Sequence, residues 1–299
     1  MQFKSIGLIG YGEVGKIFSA ELKVSAAAER TSVWDVKFLK PDVQTAELAH
    51  AALAGVSACA SMQALCQASD LLISAVTASN TLSVAQDAAR YIRPGSVFLD
   101  LNSASPGTKQ QCAAEIEARG AYYVEAGVMT SVPPYGIKTP MLLGGLRAAA
   151  LAPLLVSWGM DATAVSDKLG VASAIKMCRS VMIKGLEALV IESYTTARAY
   201  GIEDHVLPTL AETFPSIDWE KTGAYFFSRV VQHGQRRAEE MREAANTVKE
   251  AGLEPLMSTA IADKQQGVAS LAMSGVFDGL GKSDPWQAYA DRLLLVSKK

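Results

Sequence analysis

The sequence predicts an α/β protein: a doubly wound parallel sheet over residues 1–165, then an all-helical second domain over 166–299. Three observations predict it. In the first half, short apolar runs alternate with helical patterns, the signature of a parallel sheet with helices on both faces. Those runs show little polar alternation, as strands buried on both faces do. Past about residue 165 no strand-like run recurs, and long helical stretches take over.

The expected strands are Phe3–Ile9, Thr31–Asp35, Leu71–Val76, Ser96–Asp100 and Ala121–Glu125, rich in Val, Ile, Leu and Phe. Helical stretches fall between them at Val14–Val24, Ala46–Ala52, Thr81–Tyr91 and Pro106–Arg119, and Pro94-Gly95 punctuates the entry to the fourth run. In the second half a long proline-free stretch from Lys168 to Tyr200 reads as one helix, with Gly201 placed to end it as the residue after the C-cap. His205–Thr213, Tyr225–Ala251, Leu256–Ala272 and Trp286–Val296 follow as further helices.

Composition narrows the function. Of 299 residues, 49% are hydrophobic and 19% charged, enough apolar content for a large core and too much for a disordered chain. The net charge of −2, with both signs spread along the chain, offers no basic face to nucleic acid or to an anionic membrane. Cys59, Cys66, Cys112 and Cys178 form no C-x-x-C pair and no His lies at ligand spacing from them. They read as free thiols of a reducing compartment, and no metal site is expected. No apolar run is long enough to span a bilayer and no signal-peptide layout precedes the first strand, so the protein is expected in the cytoplasm.

The first apolar run leads into Gly10-Tyr11-Gly12-Glu13-Val14-Gly15, a G-x-G-x-x-G segment. Such glycines permit a tight turn, let the backbone approach a pyrophosphate and let a helix pack closely on a sheet. The unpaired N–H groups of the helix start face the phosphates. The segment follows a strand and opens a helix, and 20 residues after Gly15 an acid, Asp35, ends the second strand. This is the context of a Rossmann dinucleotide site. A carboxylate at Asp35 binds both ribose hydroxyls and repels a 2′-phosphate, so NAD is expected rather than NADP, although Lys37 and Lys40 stand nearby. Val76-Thr77, at the carboxyl end of the third run, lies on the ligand edge of such a sheet and is expected to line the cofactor groove.

Three further segments carry a family resemblance. They are Asp100-Leu101-Asn102-Ser103-Ala104-Ser105-Pro106, Gly127-Val128-Met129-Thr130-Ser131-Val132-Pro133-Pro134, and Gly170-Val171-Ala172-Ser173-Ala174-Ile175-Lys176 with Ser180 one turn on. With the nucleotide motif, they make the chain resemble the β-hydroxyacid dehydrogenases, which include 3-hydroxyisobutyrate and 6-phosphogluconate dehydrogenases. More narrowly it is similar to a 6-phosphogluconate dehydrogenase-like branch with its own, poorly characterised, C-terminal domain. The resemblance implies that Asn102 and Ser103 hold the substrate near the nicotinamide. Ser105 and Pro106 read simply as an N-cap and a first-turn proline. The second segment implies a carboxylate-binding turn, but Thr130-Ser131 replaces the family's Gly-Gly pair, putting hydroxyls where that family has bare backbone. The third implies that Lys176 is the catalytic lysine, with Ser180 in place of the family's asparagine. A homodimer is implied as well.

The chemistry expected is transfer of a hydride between the nicotinamide and the hydroxyl-bearing carbon of a small 3-hydroxy acid, with Lys176 taking the hydroxyl proton and Ser180 orienting it. A free lysine titrates at about 10.4, so that role needs surroundings that favour the neutral amine. Lys184 continues the same helix face. His233, Arg236, Arg237 and Glu240 form a further one-face cluster, of which His233 and Arg237, with Lys184, are candidates for binding a substrate carboxylate. Two other readings remain open: an aldehyde or imine reductase on the same scaffold, and a non-catalytic NAD-binding sensor.

Overall fold

A computed structural model describes residues 3–25 and 28–297. The chain forms two compact units, Met1–Met177 and Cys178–Lys299. The division falls at Met177, beyond the expected 165/166. The reason is local: the first turn of the long helix is hydrogen-bonded to a sheet residue, Glu125, so it belongs with the sheet.

The first unit is an eight-stranded sheet with helices on its faces. Its strands are β1 (Ser5–Ile9), β2 (Arg30–Trp34), β3 (Ser57–Ala58), β4 (Leu71–Ser74), β5 (Val97–Asp100), β6 (Tyr122–Val128), β7 (Met141–Gly144) and β8 (Ala162–Ser166). Their order is β3-β2-β1-β4-β5-β6-β7-β8, doubly wound about β1 and β4. The helices are α1 (Glu13–Val24), α2 (Gln44–Leu53), α3 (Met62–Ala68), α4 (Thr81–Ala89), α5 (Pro106–Glu117) and α6 (Ala148–Ser157). Central strands such as β1 and β4 are buried along their whole length, which is why their sequences lack alternation.

The sheet departs from the expected all-parallel form at β7, which pairs antiparallel with β6. Sequence reasoning missed β3, β7 and β8 because two are short or half-exposed edge pieces and Met141–Gly144 is four residues long, too brief for a period. The register here matters. β6 pairs with β5 through Tyr122–Glu125 and with β7 through Glu125–Val128. This stagger sets the last two strands toward the carboxyl edge of the parallel strands. β8 therefore ends level with Glu125, Ser166 facing Gly144 and Gly144 facing Glu125, and releases the chain at that edge.

The second unit is helical, as expected. α7 (Val171–Tyr200) carries the chain into it, and α8 (Glu203–Thr213), α9 (Trp219–Glu250), α10 (Leu256–Met273) and α11 (Trp286–Ser297) follow. Gly201, at φ +66°, ends α7 in the left-handed conformation that its Cβ-less backbone allows. The core of this unit gathers Tyr194, Trp219, Phe227, Trp286 and Tyr289. α9 and α10 pack closely at Gly234, where a Cβ would come within 2.9 Å of the Gln265 carbonyl.

The four cysteines are free thiols; burial pushes Cys66 and Cys112 up to about 12, while Cys178 is exposed. Among the described residues no helix is long and apolar enough to cross a membrane, and no group of His, Cys, Asp or Glu could hold a metal ion.

Candidate active site

The glycine loop has the geometry its spacing predicts. Gly10 sits at φ +96° with its N–H donated to the Trp34 carbonyl, and a Cβ there would meet the Ala75 carbonyl at 2.4 Å. A Cβ on Gly15 would stand 1.9 Å from the Gly10 carbonyl, so only glycine lets α1 start this close to β1. Gly12 is different: a Cβ there would meet nothing within 4 Å. That open space lies at the N-cap of α1, which has no side-chain cap, so the N–H groups of Glu13, Val14 and Gly15 have no intrahelical acceptor. A cradle of bare backbone before uncapped N–H groups fits a dinucleotide pyrophosphate.

Tyr11 is part of this loop but not of the cradle. Its ring is buried against Phe38, its hydroxyl hydrogen-bonds His50 Nδ1 (2.9 Å), and its N–H is donated to Asp35 Oδ2 (2.6 Å). Asp35 follows β2 directly. Its other oxygen accepts the Lys37 N–H (2.9 Å), capping a 3-10 turn over Val36–Leu39. Two backbone donors thus fix this carboxylate at the end of the strand.

On the same edge, the loops after β4 and β5 are tied together. Asn102, almost fully buried, accepts the Val76 N–H on Oδ1 (2.6 Å) and donates through Nδ2 to Ser74 Oγ (3.0 Å). The side chain expected to hold substrate instead brackets two strand ends. Thr77 Oγ1 accepts from Asn80 Nδ2, within its own turn. Ser105 caps α5 through the Thr108 N–H, with Pro106 in the first turn, as read from the sequence.

Beneath this bracket lies a polar network that sequence reasoning missed. Lys109, wholly buried, pairs with the buried Asp100 carboxylate at 3.0 Å and donates to its carbonyl at 3.1 Å. The same carboxylate accepts the Asn102 N–H (2.8 Å) and the Tyr123 hydroxyl (2.5 Å). Burial, and then the negative Asp100, hold the Tyr123 phenol well above its ordinary value, so it stays a donor. The available signal was helical phase: Lys109 shares the apolar face of α5 with Cys112, Ala113 and Ile116.

Lys176 meets this edge from α7. Its Nζ donates to Ser103 Oγ at 2.5 Å. Two features put it there. Glu125, fully buried, accepts the Gly170 and Ala172 N–H groups on one oxygen (2.8 and 3.1 Å), clamping the helix start. Gly127 lets the helix approach, since a Cβ there would lie 2.8 Å from the Ala172 carbonyl. The second Glu125 oxygen, also buried, has no hydrogen-bond partner among the described residues. Thr130 is exposed and Ser131 half-buried, in a loop closed at its base by the Met129 N–H on the Pro140 carbonyl (2.9 Å). The loop is held to α1 by the Ile137 N–H on Glu21 (3.2 Å).

The candidates of the helical unit are occupied otherwise. Lys184 pairs with Glu240 (2.8 Å) and donates to Ser180 Oγ (3.2 Å). Arg237 is buried in a two-point pair with Glu187, to which Gln265 also donates (3.2 Å). Arg236 is on the exposed side, so the expected one-face cluster divides: Arg237 inward, Arg236 outward, His233 half-buried. Lys184 and Arg237 are already neutralised by carboxylates of their own unit, which explains their burial better than a substrate would.

Comparison with known proteins agrees with this architecture. Residues 5–164 match the family described as the NAD binding domain of 6-phosphogluconate dehydrogenase, and residues 197–268 match a domain of unknown function, DUF1932. A conserved hypothetical protein from Sinorhizobium meliloti is 36% identical, covering 97% of this chain and 95% of its own, with a TM-score of 0.76. The conserved protein MTH1747, of unknown function and structurally similar to 3-hydroxyacid dehydrogenases, is 27% identical over 91% of this chain and 99% of its own, at 0.68. The 3-hydroxyisobutyrate dehydrogenase of Mycobacterium tuberculosis shares the fold at 17% identity, covering 98% and 99%, at 0.67. The first unit is thus a nicotinamide-dinucleotide-binding domain of the oxidoreductase type. A glycine cradle at one strand end and a match over more than half of the chain lead to one statement: this protein belongs to the family built on the NAD binding domain of 6-phosphogluconate dehydrogenase, and carries DUF1932 in its helical half.

Proposed function

We propose that the protein is an NAD-dependent dehydrogenase that oxidises a small 3-hydroxy acid, with Lys176 as general base. The observation that carries this reading is the hydrogen bond from Lys176 to Ser103, on the carboxyl edge that also holds the Gly12 cradle. Bound NAD⁺ supplies the hydride acceptor. Lys176, as the neutral amine, takes the proton of the substrate hydroxyl, and Ser103 holds that hydroxyl within the roughly 2.6–3.2 Å a proton transfer needs. The Asn102 bracket and the Asp100–Lys109 pair fix the loop that presents Ser103. Thr130 and Ser131 offer hydroxyls to the substrate carboxylate. Asp35 meets the adenosine ribose, which makes NAD the preferred dinucleotide.

The test uses a panel of 3-hydroxy acids. Lys176→Ala is expected to keep NADH binding and the melting temperature but to lose about 10²–10⁴ in kcat. Lys176→Arg fails likewise, because guanidinium does not release its proton near neutral pH. Lys184→Ala, which breaks the pair with Glu240, costs stability rather than turnover. Full turnover by Lys176→Ala would refute the assignment.

The active form is proposed to be a homodimer. The second unit exposes Met182, Leu189, Phe214, Leu256, Met257 and Met273, much apolar surface for a free chain. Light scattering at micromolar concentration should give twice the chain mass; a monomer would remove this part of the reading.

A further inference from the structure

Beside Asp35, one carboxylate holds two lysines. Glu47, in the first turn of α2, contacts Lys16 Nζ at 2.8 Å through one oxygen and Lys37 Nζ at 3.5 Å through the other. Lys16 directly follows Gly15 on α1, and Lys37 is the residue whose N–H binds Asp35. Lys40, beyond the same 3-10 turn, is exposed. The arrangement is built rather than incidental. Gln44 anchors the start of α2 to the Phe38 carbonyl at 2.6 Å, and the Glu47 side chain is mostly buried while the lysines are more open. Burial pushes the Glu47 carboxyl up, but the ion pair with Lys16, and then the charge of Lys37, outweigh it and lower it, so it is ionised at neutral pH.

The charge count is decisive. Asp35 and Glu47 are negative and Lys16 and Lys37 positive, so the four groups sum to zero. A dinucleotide ending in a 2′-hydroxyl needs only the acceptor oxygens of Asp35. One carrying a 2′-phosphate needs cations, and Lys16 and Lys37 are already paired with Glu47.

We propose that Glu47 is a specificity-determining residue, excluding the 2′-phosphorylated dinucleotide by holding Lys16 and Lys37 away from it. The inference rests on the reading of Asp35 as the ribose partner. It adds that Asp35 is half of the selection and that the other half lies on a different element. That element, α2, also meets the glycine loop through His50 and the Tyr11 hydroxyl, so its place beside the dinucleotide site is fixed twice.

The test is the ratio of dissociation constants, NADPH over NADH, measured on the full chain by fluorescence titration at low ionic strength, where charge effects are least screened. The wild-type ratio should be at least about 10. Glu47→Gln is nearly isosteric and frees both lysines. It should tighten NADPH about tenfold while moving NADH less than threefold, so the ratio falls about tenfold. K16Q/K37Q/E47Q removes the freed cations and should return the ratio to the wild-type value. An E47Q ratio within twofold of wild type, equal tightening of both dinucleotides, or an E47Q-like ratio in the triple variant overturns this inference alone. A wild-type protein that binds neither dinucleotide, or prefers NADPH, overturns the proposed cofactor and this inference together.

Discussion

Lys109→Met tests the network under the Ser103 loop. The lysine is wholly buried, 3.0 Å from Asp100 Oδ1, and the Asp100 carboxylate is as deeply buried. Methionine fills the volume of the lysine stem but leaves the carboxylate with only the Tyr123 hydroxyl and the Asn102 N–H. Breaking a buried pair from one side costs about 3–5 kcal/mol, since a buried charge is left without its counterion. For a domain of this size, that is a fall in melting temperature of roughly 6–20 °C. Replacing both partners, D100N/K109M, removes the stranded charge while the introduced amide oxygen still accepts the Asn102 N–H. The double variant should therefore be more stable than K109M, with a coupling of at least about 2 kcal/mol. Urea unfolding of K109M, D100N and the double variant, followed by tryptophan fluorescence and by circular dichroism, reads the costs and the coupling. A K109M cost below about 1 kcal/mol, or a double variant as unstable as the two single losses summed, would refute the network as a clamp on that loop.

In the glycine loop, Gly12→Ala and Gly15→Ala should part company. The first, whose new Cβ meets no atom, keeps the melting temperature but weakens NADH at least about tenfold by filling the pyrophosphate cradle. The second drives a Cβ to within 1.9 Å of the Gly10 carbonyl and should also cost about 1–3 kcal/mol of stability; equal melting curves for the two would contradict the geometry. Asp70 accepts from the Lys4 and Ser5 N–H groups, the Ser5 hydroxyl and Arg93, and although burial pushes its carboxyl up, these partners bring it below the ordinary range. A lowered folded value means stability present above the unfolded value of about 3.9 and lost as pH falls through the folded one. Asp70→Asn should thus lower the melting temperature at pH 7, with the gap closing as pH falls below the ordinary carboxylate range; a gap constant with pH would exclude a charge effect.

What could be read from the sequence was whatever local rules dictate. Gly10 and Gly15 announced themselves because the turn and the close packing each require a missing Cβ, and the fold meets both requirements, while at Gly12 the space a Cβ would fill stands open. Ser105 and Pro106 were legible as a cap for the same reason. The roles of Asn102, Lys184 and Arg237 were not, because each depends on a partner distant in the chain: Val76 for the first, Glu240 and Glu187 for the others. Nor could sequence spacing reveal that one acid in α2 reaches back to Lys16. Strand β7 escaped because four residues carry no measurable period, and with it went the reversal of direction after β6.

That reversal decides which changes at this edge of the sheet stay local. Because β6 and β7 run antiparallel, residues 130–139 form a closed loop, sealed below by the Met129–Pro140 hydrogen bond, held to Glu21 by the Ile137 N–H and anchored in the core by Val132 and Ile137. Strand register below the seal is set by Glu125–Val128 against Met141–Gly144, independently of what the loop contains. Its exposed side chains can therefore be exchanged without moving Glu125, the start of α7 or Lys176, provided Val132 and Ile137 keep their places in the core. A slip of two residues in the strands themselves would displace the helix start by about 7 Å. Thr130, Pro133, Pro134, Tyr135 and Lys138 are the exposed positions of that loop, and changes there leave the Lys176–Ser103 contact and the Glu125 clamp in place.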